Sequence, residues 1–192
     1  MQNVILQTVA LVVAGVVLLI IAAVSIRVQR SAVAATQYQA AKGVQTDLVG
    51  LIDRDFRNIG SGYPDYMLNP DSAIISFDST GSFAFYGQTQ RGQAPDAIEY
   101  TWSQYGTVRL DTAYVPAYSV SRTVNGVPAG GSAGALTKFE VHLLDNVGNP
   151  VSVFSDTRQV EVSLVMISSL GSNSLTEANT WETVIRPAAL AP

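Results

Sequence analysis

Few side chains in this sequence have the types and spacing that catalysis requires. His142 is the single histidine, and no nucleophile or cluster of metal ligands is spaced around it as a triad or metal site would need. Asp53 and Asp55 lie two residues apart on a predicted helix, so their carboxylates do not face each other. We therefore expect a structural or surface role for His142, surface ion pairs of Arg54 and Arg57, and neither enzymatic activity nor a cofactor.

Two loops and a set of aromatic residues are the other candidates for ligand binding. Asp145, Asn146 and Asn149 carry oxygens of the kind that calcium prefers, but a hairpin turn explains the same residues and the spacing is not that of an EF-hand. The glycine-rich stretch 130–134 lacks the lysine of a phosphate-binding loop, so it is predicted to be a flexible loop. The aromatic residues favour core packing over an adhesive surface; they are Tyr63, Tyr66, Tyr86, Tyr100, Trp102, Tyr105, Tyr114 and Tyr118.

The charges are divided unevenly along the 192 residues. The first 46 residues carry Arg27, Arg30 and Lys42 and no acid, which gives +3, whereas the remainder holds 8 bases and 15 acids, which gives −7 and the net charge of −4. An acidic domain on a basic stalk argues against nucleic acid as a partner. There is no cysteine, so disulfides and thiolate metal sites are excluded.

The N-terminal stretch is the element that positions the rest of the chain. Residues 4–26 contain only three polar side chains and no charge, and about 20 apolar residues suffice for a helix to cross a bilayer. No proline occurs before Pro64, so a single helix over 3–59, about 85 Å long, is predicted, and the glycines that begin at Gly60 are predicted to stop it. Residues 1–28 are predicted to form the apolar half of this helix, which would lie in a membrane or in a filament core. Residues 29–60 are predicted to form its amphipathic half.

The amphipathic half has one apolar face that is predicted to pack on the domain that follows. Its apolar residues recur at spacings of three and four, which places them on one side of a helix. They are Val44, Leu48, Leu51, Ile52, Phe56 and Ile59.

Residues 61–192 are predicted to form one β-rich globular head. Alternating and β-branched runs favour strands at 74–77, 82–86, 97–102, 107–110, 114–124, 136–144, 151–154, 159–167 and 180–186. Tyr105 and Gly106 are predicted to form a turn. Pro116 predicts that the strand at 114–124 lies at a sheet edge or is irregular. The fold class is therefore α+β, a long N-terminal helix packed on a C-terminal antiparallel sheet.

Several short motifs, in order along the chain, resemble those of type IV pilins and type II secretion pseudopilins. The helix end LIDRDFRNIG at 51–60 is similar to the D-(L/F)-R-(N/R)-A-G ending of W-type minor pilins and J-type minor pseudopilins. The remaining similarities are an I-x-Y strand at 97–101, an L-x-F-x-Y-x-D-x-x-G hairpin at 136–148, and closing strands at 160–164 and 183–187. The resemblance implies a pilin-like fold and a filament subunit.

The N-terminus departs from that family pattern. Those proteins have a basic leader ending in glycine and a glutamate at the fifth mature position, whereas here no basic leader precedes the apolar run and the fifth residue is Ile5. A subunit in a special position, such as the tip, is one interpretation. If Met1 is the mature first residue, the resemblance implies N-methylation of Met1.

Two functions follow from these observations. The first is a structural subunit of a pilus-like or pseudopilus-like filament, in the inner membrane before assembly and in an extracellular or periplasmic filament afterwards, with copies of itself or other pilin-like subunits as partners. Assembly is predicted to use Val4, Leu11, Ala14, Gly15, Leu18, Ile21 and Ala22. The alternative is a single-pass membrane-anchored binding module that does not polymerise. The positive-inside rule favours a cytoplasmic version of that module, because Arg27, Arg30 and Lys42 follow the apolar run.

Overall fold

A computed structural model describes residues 2–63, 70–110, 113–169 and 176–190 of the chain. The elements are helix α1 at Gln2–Arg57, a single helical turn α2 at Pro70–Ala73, and strands β1 at Ile74–Asp78, β2 at Ser82–Gly87, β3 at Asp96–Leu110, β4 at Ala113–Val124, β5 at Val127–Leu144, β6 at Gln159–Ser169 and β7 at Thr176–Ile185. Short 3₁₀ turns lie at Phe154–Asp156 and Ala188–Leu190. Met1 and Tyr66 are outside the described residues.

Helix α1 is one uninterrupted element of 56 residues, which makes it about 84 Å long. It ends at Arg57, two residues before the predicted end. The N–H groups of Asn58 and Ile59 bond to carbonyls three residues back, and Ile59 then forms a bridge with Gly87 of β2. Gly60 follows with a φ of 74°, and its N–H donates to the carbonyl of Tyr86. The chain therefore leaves the helix early because it joins the sheet beside β2.

The seven strands form one antiparallel sheet in which each strand pairs with the strand before and after it in sequence. The described chain is thus an α+β protein with a long N-terminal helix and a large antiparallel sheet. Because the side chains of a strand alternate between faces, the paired positions of neighbouring strands define an inner face toward α1. Phe83, Tyr100 and Arg122 are consecutive neighbours across β2, β3 and β4 on that face.

The predicted turn at Tyr105 and Gly106 is wrong. β3 continues through both residues with an irregularity between Gln104 and Gly106, and its far end pairs only with β4. Pro116 lies in this part of β4, opposite Thr107, where β5 does not pair with β4. Proline is tolerated there because the side of β4 away from β3 needs no N–H donor.

Two further predictions about the head are wrong. The glycine-rich stretch 130–134 is part of β5 rather than a loop. Its glycines let β5 approach β4 closely. A Cβ on Gly131, whose φ is 146°, would lie 2.5 Å from the carbonyl oxygen of Val120. Residues 151–154 form no strand. The N–H of Val151 instead donates to the carbonyl of Leu143, and a 3₁₀ turn begins at Phe154.

The core lies between the end of α1 and the inner face of the sheet. Of the residues predicted to pack there, Leu48, Ile52, Phe56 and Ile59 are buried and Leu51 is half-buried. Val44 is 47% exposed, so its predicted packing on the head is wrong; it lies one helical turn before the first buried residue. The ring of Phe56 meets the rings of Phe83, Phe85 and Tyr100 edge-on, each at a centroid distance of 5.4 Å. This aromatic cluster joins α1 to β2 and β3.

The junction between α1 and β2 depends on the absence of a side chain at Gly87. A Cβ there would lie 2.7 Å from the carbonyl oxygen of Asn58, a backbone atom that cannot move without the helix end. We predict that Gly87→Ala lowers the free energy of unfolding by about 1–3 kcal/mol. The control is Gly106→Ala, also in a strand, where a Cβ would meet nothing within 4 Å. Thermal unfolding of the full chain in detergent, followed by circular dichroism, measures both, and equal midpoints for the two variants would contradict the prediction.

Candidate functional site

The first half of α1 is the most unusual surface of the protein. Gln7–Val33 is long and apolar enough to cross a membrane, by its length and composition, and the head buries none of it. Leu11, for example, is 76% exposed. Apolar patches of this size on a soluble protein mark contacts with a membrane or with other protein. This helix surface is therefore the candidate site.

The predicted assembly residues lie along this surface and none of those described contacts the head. Leu11, Leu18 and Ile21 are each more than half exposed. Ala14 and Ala22 are also exposed, and a Cβ on Gly15 would meet nothing within 4 Å. Val4 belongs to α1, but its side chain is outside those described, as is Met1. The exposed face therefore combines large aliphatic side chains with small ones that let another helix approach.

A buried ion pair fixes this helix to the head. Asp55 is 2% exposed and lies on the packed side of α1. Its Oδ2 accepts hydrogen bonds from the hydroxyl of Tyr100 at 2.8 Å and from Nε of Arg122 at 2.5 Å. Nη2 of Arg54 donates to Oδ1 at 3.1 Å, and Nη1 of Arg122 donates to the carbonyl of Ala129. The charge of Asp55 is thus compensated by groups from α1, β3 and β4.

Burial and charge act together on this cluster. Burial, then the negative charge of Asp55 and its hydrogen bond, raise the pKa of Tyr100, so the phenol stays protonated and donates. Burial alone would lower the pKa of Arg122, but the hydrogen bond and charge of Asp55 outweigh it, and the pKa is raised. The raised pKa values keep the guanidinium of Arg122 charged and the phenol of Tyr100 neutral, and both groups are buried beside the carboxylate of Asp55.

The sequence contained a signal for this cluster. Asp55 stands three residues after Ile52 and four before Ile59, so it falls on the apolar stripe of α1. A charge at such a position needs a buried partner, and the partner is Arg122 on β4. Asp53, by contrast, pairs with Arg57 at 2.8 Å on the exposed side of the helix, as predicted for Arg57, whereas the partner of Arg54 is the buried Asp55.

The other candidate residues are placed on the surface or in the core of the head. His142 is exposed on β5, where its Nε2 lies 3.6 Å from a carboxylate oxygen of Glu140. Among the described residues, no group of three or more His, Cys, Asp or Glu side chains is arranged to hold a metal ion. The carboxylate of Asp145 instead organises a turn: Oδ1 accepts the N–H groups of Val147, Gly148 and Asn149 at 2.7–2.8 Å, and Oδ2 accepts Nδ2 of Asn149 at 3.0 Å.

The candidate aromatic residues that the structure describes are divided between the core and separate parts of the surface. Tyr100 and Trp102 are buried in the core, and Tyr63 and Tyr86 pack edge-on against each other. Tyr118 is half-buried. Among the tyrosines whose side chains the structure describes, Tyr105 and Tyr114 are the most exposed, and both lie on the projecting part of the β3–β4 pair.

Comparisons of this chain with protein-family models, with curated proteins and with solved structures found no match.

The buried ion pair predicts a large difference between two nearby aspartates. Asp55→Ala leaves the guanidinium of Arg122 buried without its counter-charge, which we expect to cost about 3–5 kcal/mol of stability. Asp53→Ala, two residues away on the same helix, removes only an exposed pair and is expected to change stability little. Urea unfolding of the full chain in detergent, followed by tryptophan fluorescence, compares the two. Similar midpoints would contradict the assigned role of Asp55.

The turn at Asp145 predicts a stability contribution that depends on pH. The hydrogen bonds from Asn149, backbone first and then side chain, lower the pKa of Asp145 below its ordinary value of 3.8. A lowered folded-state pKa stabilises the protein above 3.8, and this contribution is lost as the pH falls through the folded value.

Unfolding midpoints of the native chain and Asp145→Ala should therefore differ at about pH 6 and converge toward about pH 3. Asp156→Ala removes an exposed carboxylate of the same connection, for which no backbone hydrogen bond is described, and is expected to have the smaller effect. A gap between native and Asp145→Ala that is the same at both pH values would show that the turn does not depend on the charge.

Proposed function

We propose that this chain is a structural subunit of a pilin-like filament that assembles through its N-terminal helix. The subunit inserts this helix in the inner membrane before assembly, and the helix then enters the shaft of an extracellular or periplasmic filament. The β head lies outside the shaft. The partners are copies of the chain or other pilin-like subunits, and the ordered motifs favour a minor or tip position.

The observation that carries the proposal is the contrast between the two parts of α1. Its last three turns, from Leu48 onward, are packed into the head, whereas the head buries none of the apolar segment Gln7–Val33. No break in the helix separates the two parts, so the exposed part of α1 is held rigidly to the head. A simple membrane anchor needs a span of about 20 residues, and α1 continues well past that length before it reaches the head.

The energetics of the exposed helix support association in two environments. Burial of aliphatic side chains contributes about 25 cal/mol for each Å² removed from water. A bilayer supplies that burial to a single subunit, and a bundle of identical helices supplies it to an assembled one. In a bundle, small residues such as Ala14 and Gly15 allow the close helix contacts that a bilayer does not require.

Electron microscopy of the native protein tests the proposal. We expect membrane fractions from cells that make the full chain to contain thin filaments, with a mature N-terminal residue that mass spectrometry identifies as N-methylated. A fraction that contains only detergent-soluble single subunits would overturn the proposal and favour the membrane-anchored binding module.

A single substitution separates filament packing from membrane insertion. Gly15→Leu adds a side chain where the isolated subunit has open space, and leucine favours both helix formation and insertion. We expect the variant to reach the membrane in normal amounts and to form at least about tenfold fewer filaments, since about 1.4 kcal/mol of lost packing is a factor of ten. Leu19→Ile, an isomeric change at an exposed position, is the control.

A further inference from the structure

The exposed part of α1 near the head carries two charges of opposite sign. Lys42 and Asp47 are both exposed, and neither forms an ion pair with another residue in the described part of the chain. Asp47 is the only acid among the first 52 residues. Lys42, Arg27 and Arg30 are the bases of the stalk. The stalk therefore carries unpaired positive charge and one unpaired negative charge close to the head.

The two residues cannot satisfy each other within one chain. Five residues of helix separate them, which corresponds to about 7.5 Å along the axis and about 140° around it. Asp47 is nine residues before Phe56, so it points about 180° away from that packed side chain. The charges of Lys42 and Asp47 thus lie on nearly opposite sides of the same rod.

We propose that Lys42 of one copy pairs with Asp47 of the next copy, with the two parallel helices offset by about 7.5 Å. The partner is a second copy of this chain, and the inference rests on the filament proposed above. Because the paired surfaces differ, the contact is heterologous, and repetition generates an open helical assembly rather than a closed dimer. The pair sets the axial register, while apolar burial supplies most of the association energy.

The alternative pairings of Asp47 would separate the apolar segments of the two paired helices. Pairing with Arg30 or Arg27 needs an offset of 17 or 20 residues, about 26–30 Å. The uncharged apolar run from Gln7 to Ile26 is itself about 30 Å long, so such an offset would leave it almost without an apolar neighbour. An offset of five residues keeps about three-quarters of that run in register.

Cysteine cross-linking tests the contact directly, because the chain contains no cysteine of its own. In a double variant, Lys42→Cys with Asp47→Cys, the two positions of one chain are more than 7 Å apart and cannot form a disulfide with each other. We expect mild oxidation of filaments to give a ladder of dimers, trimers and longer chains. Each single variant lacks the second partner and should give no ladder.

Charge exchange provides the second measurement. Lys42→Asp places two aspartates together and is expected to reduce filament number at least about tenfold, since like charges in contact cost more than 1.4 kcal/mol. Asp47→Lys should do the same, and the double exchange should restore filaments. Lys42→Arg keeps the charge and is the control.

The outcomes separate this inference from the proposed function. Filaments that form normally but give no 42–47 ladder, and that tolerate Lys42→Asp, would overturn the contact and leave the filament subunit in place. Absence of filaments from the native chain would overturn the proposed function and the contact together. A 42–47 ladder with rescue by the double exchange supports both.

Discussion

The packing of the last three turns of α1 on the sheet is the contact on which the rest of the structure depends. A meander of seven antiparallel strands has one apolar face that must be covered, and the end of α1 covers it. Phe56 supplies the centre of this contact through three edge-on aromatic neighbours. This contact is the only one described between α1 and the rest of the chain. It matters for the helix because helices in proteins derive most of their stability from packing rather than from intrinsic propensity.

Asp55 fixes the rotation of α1 on the sheet. A purely apolar stripe would tolerate a small rotation or slide of the helix at modest cost, whereas a buried carboxylate must keep Arg122 and Tyr100 within hydrogen-bond distance. Rotation of α1 would separate these charges in a buried site. We infer that the ion pair contributes mainly specificity: it fixes which side of an 84 Å rod faces the head, and therefore which side is exposed below it.

The sequence predicted the large features of this fold because they depend on periodicity. The continuous helix and its packed face follow from apolar spacing, and most strands follow from alternation. The wrong predictions occur where tertiary contacts determine the local backbone structure. Tyr105 and Gly106 form a strand because β4 pairs with them, and the glycines near residue 131 allow close strand contact rather than a turn. Arg122 could not be identified as a partner of Asp55, since 67 residues separate them in sequence.

Val44 shows why the exposed helix surface is not simply a continuation of the packed face. It belongs to the same periodic stripe as Leu48, yet the head ends before it and leaves it 47% exposed. Sequence periodicity thus reports that a residue is suited to burial and not whether its partner belongs to the same chain. In this molecule the apolar residues continue from the packed end of α1 into its exposed part without a break in the helix. The rigid junction at Asp55 then ensures that whatever covers the stalk also sets the orientation of the head.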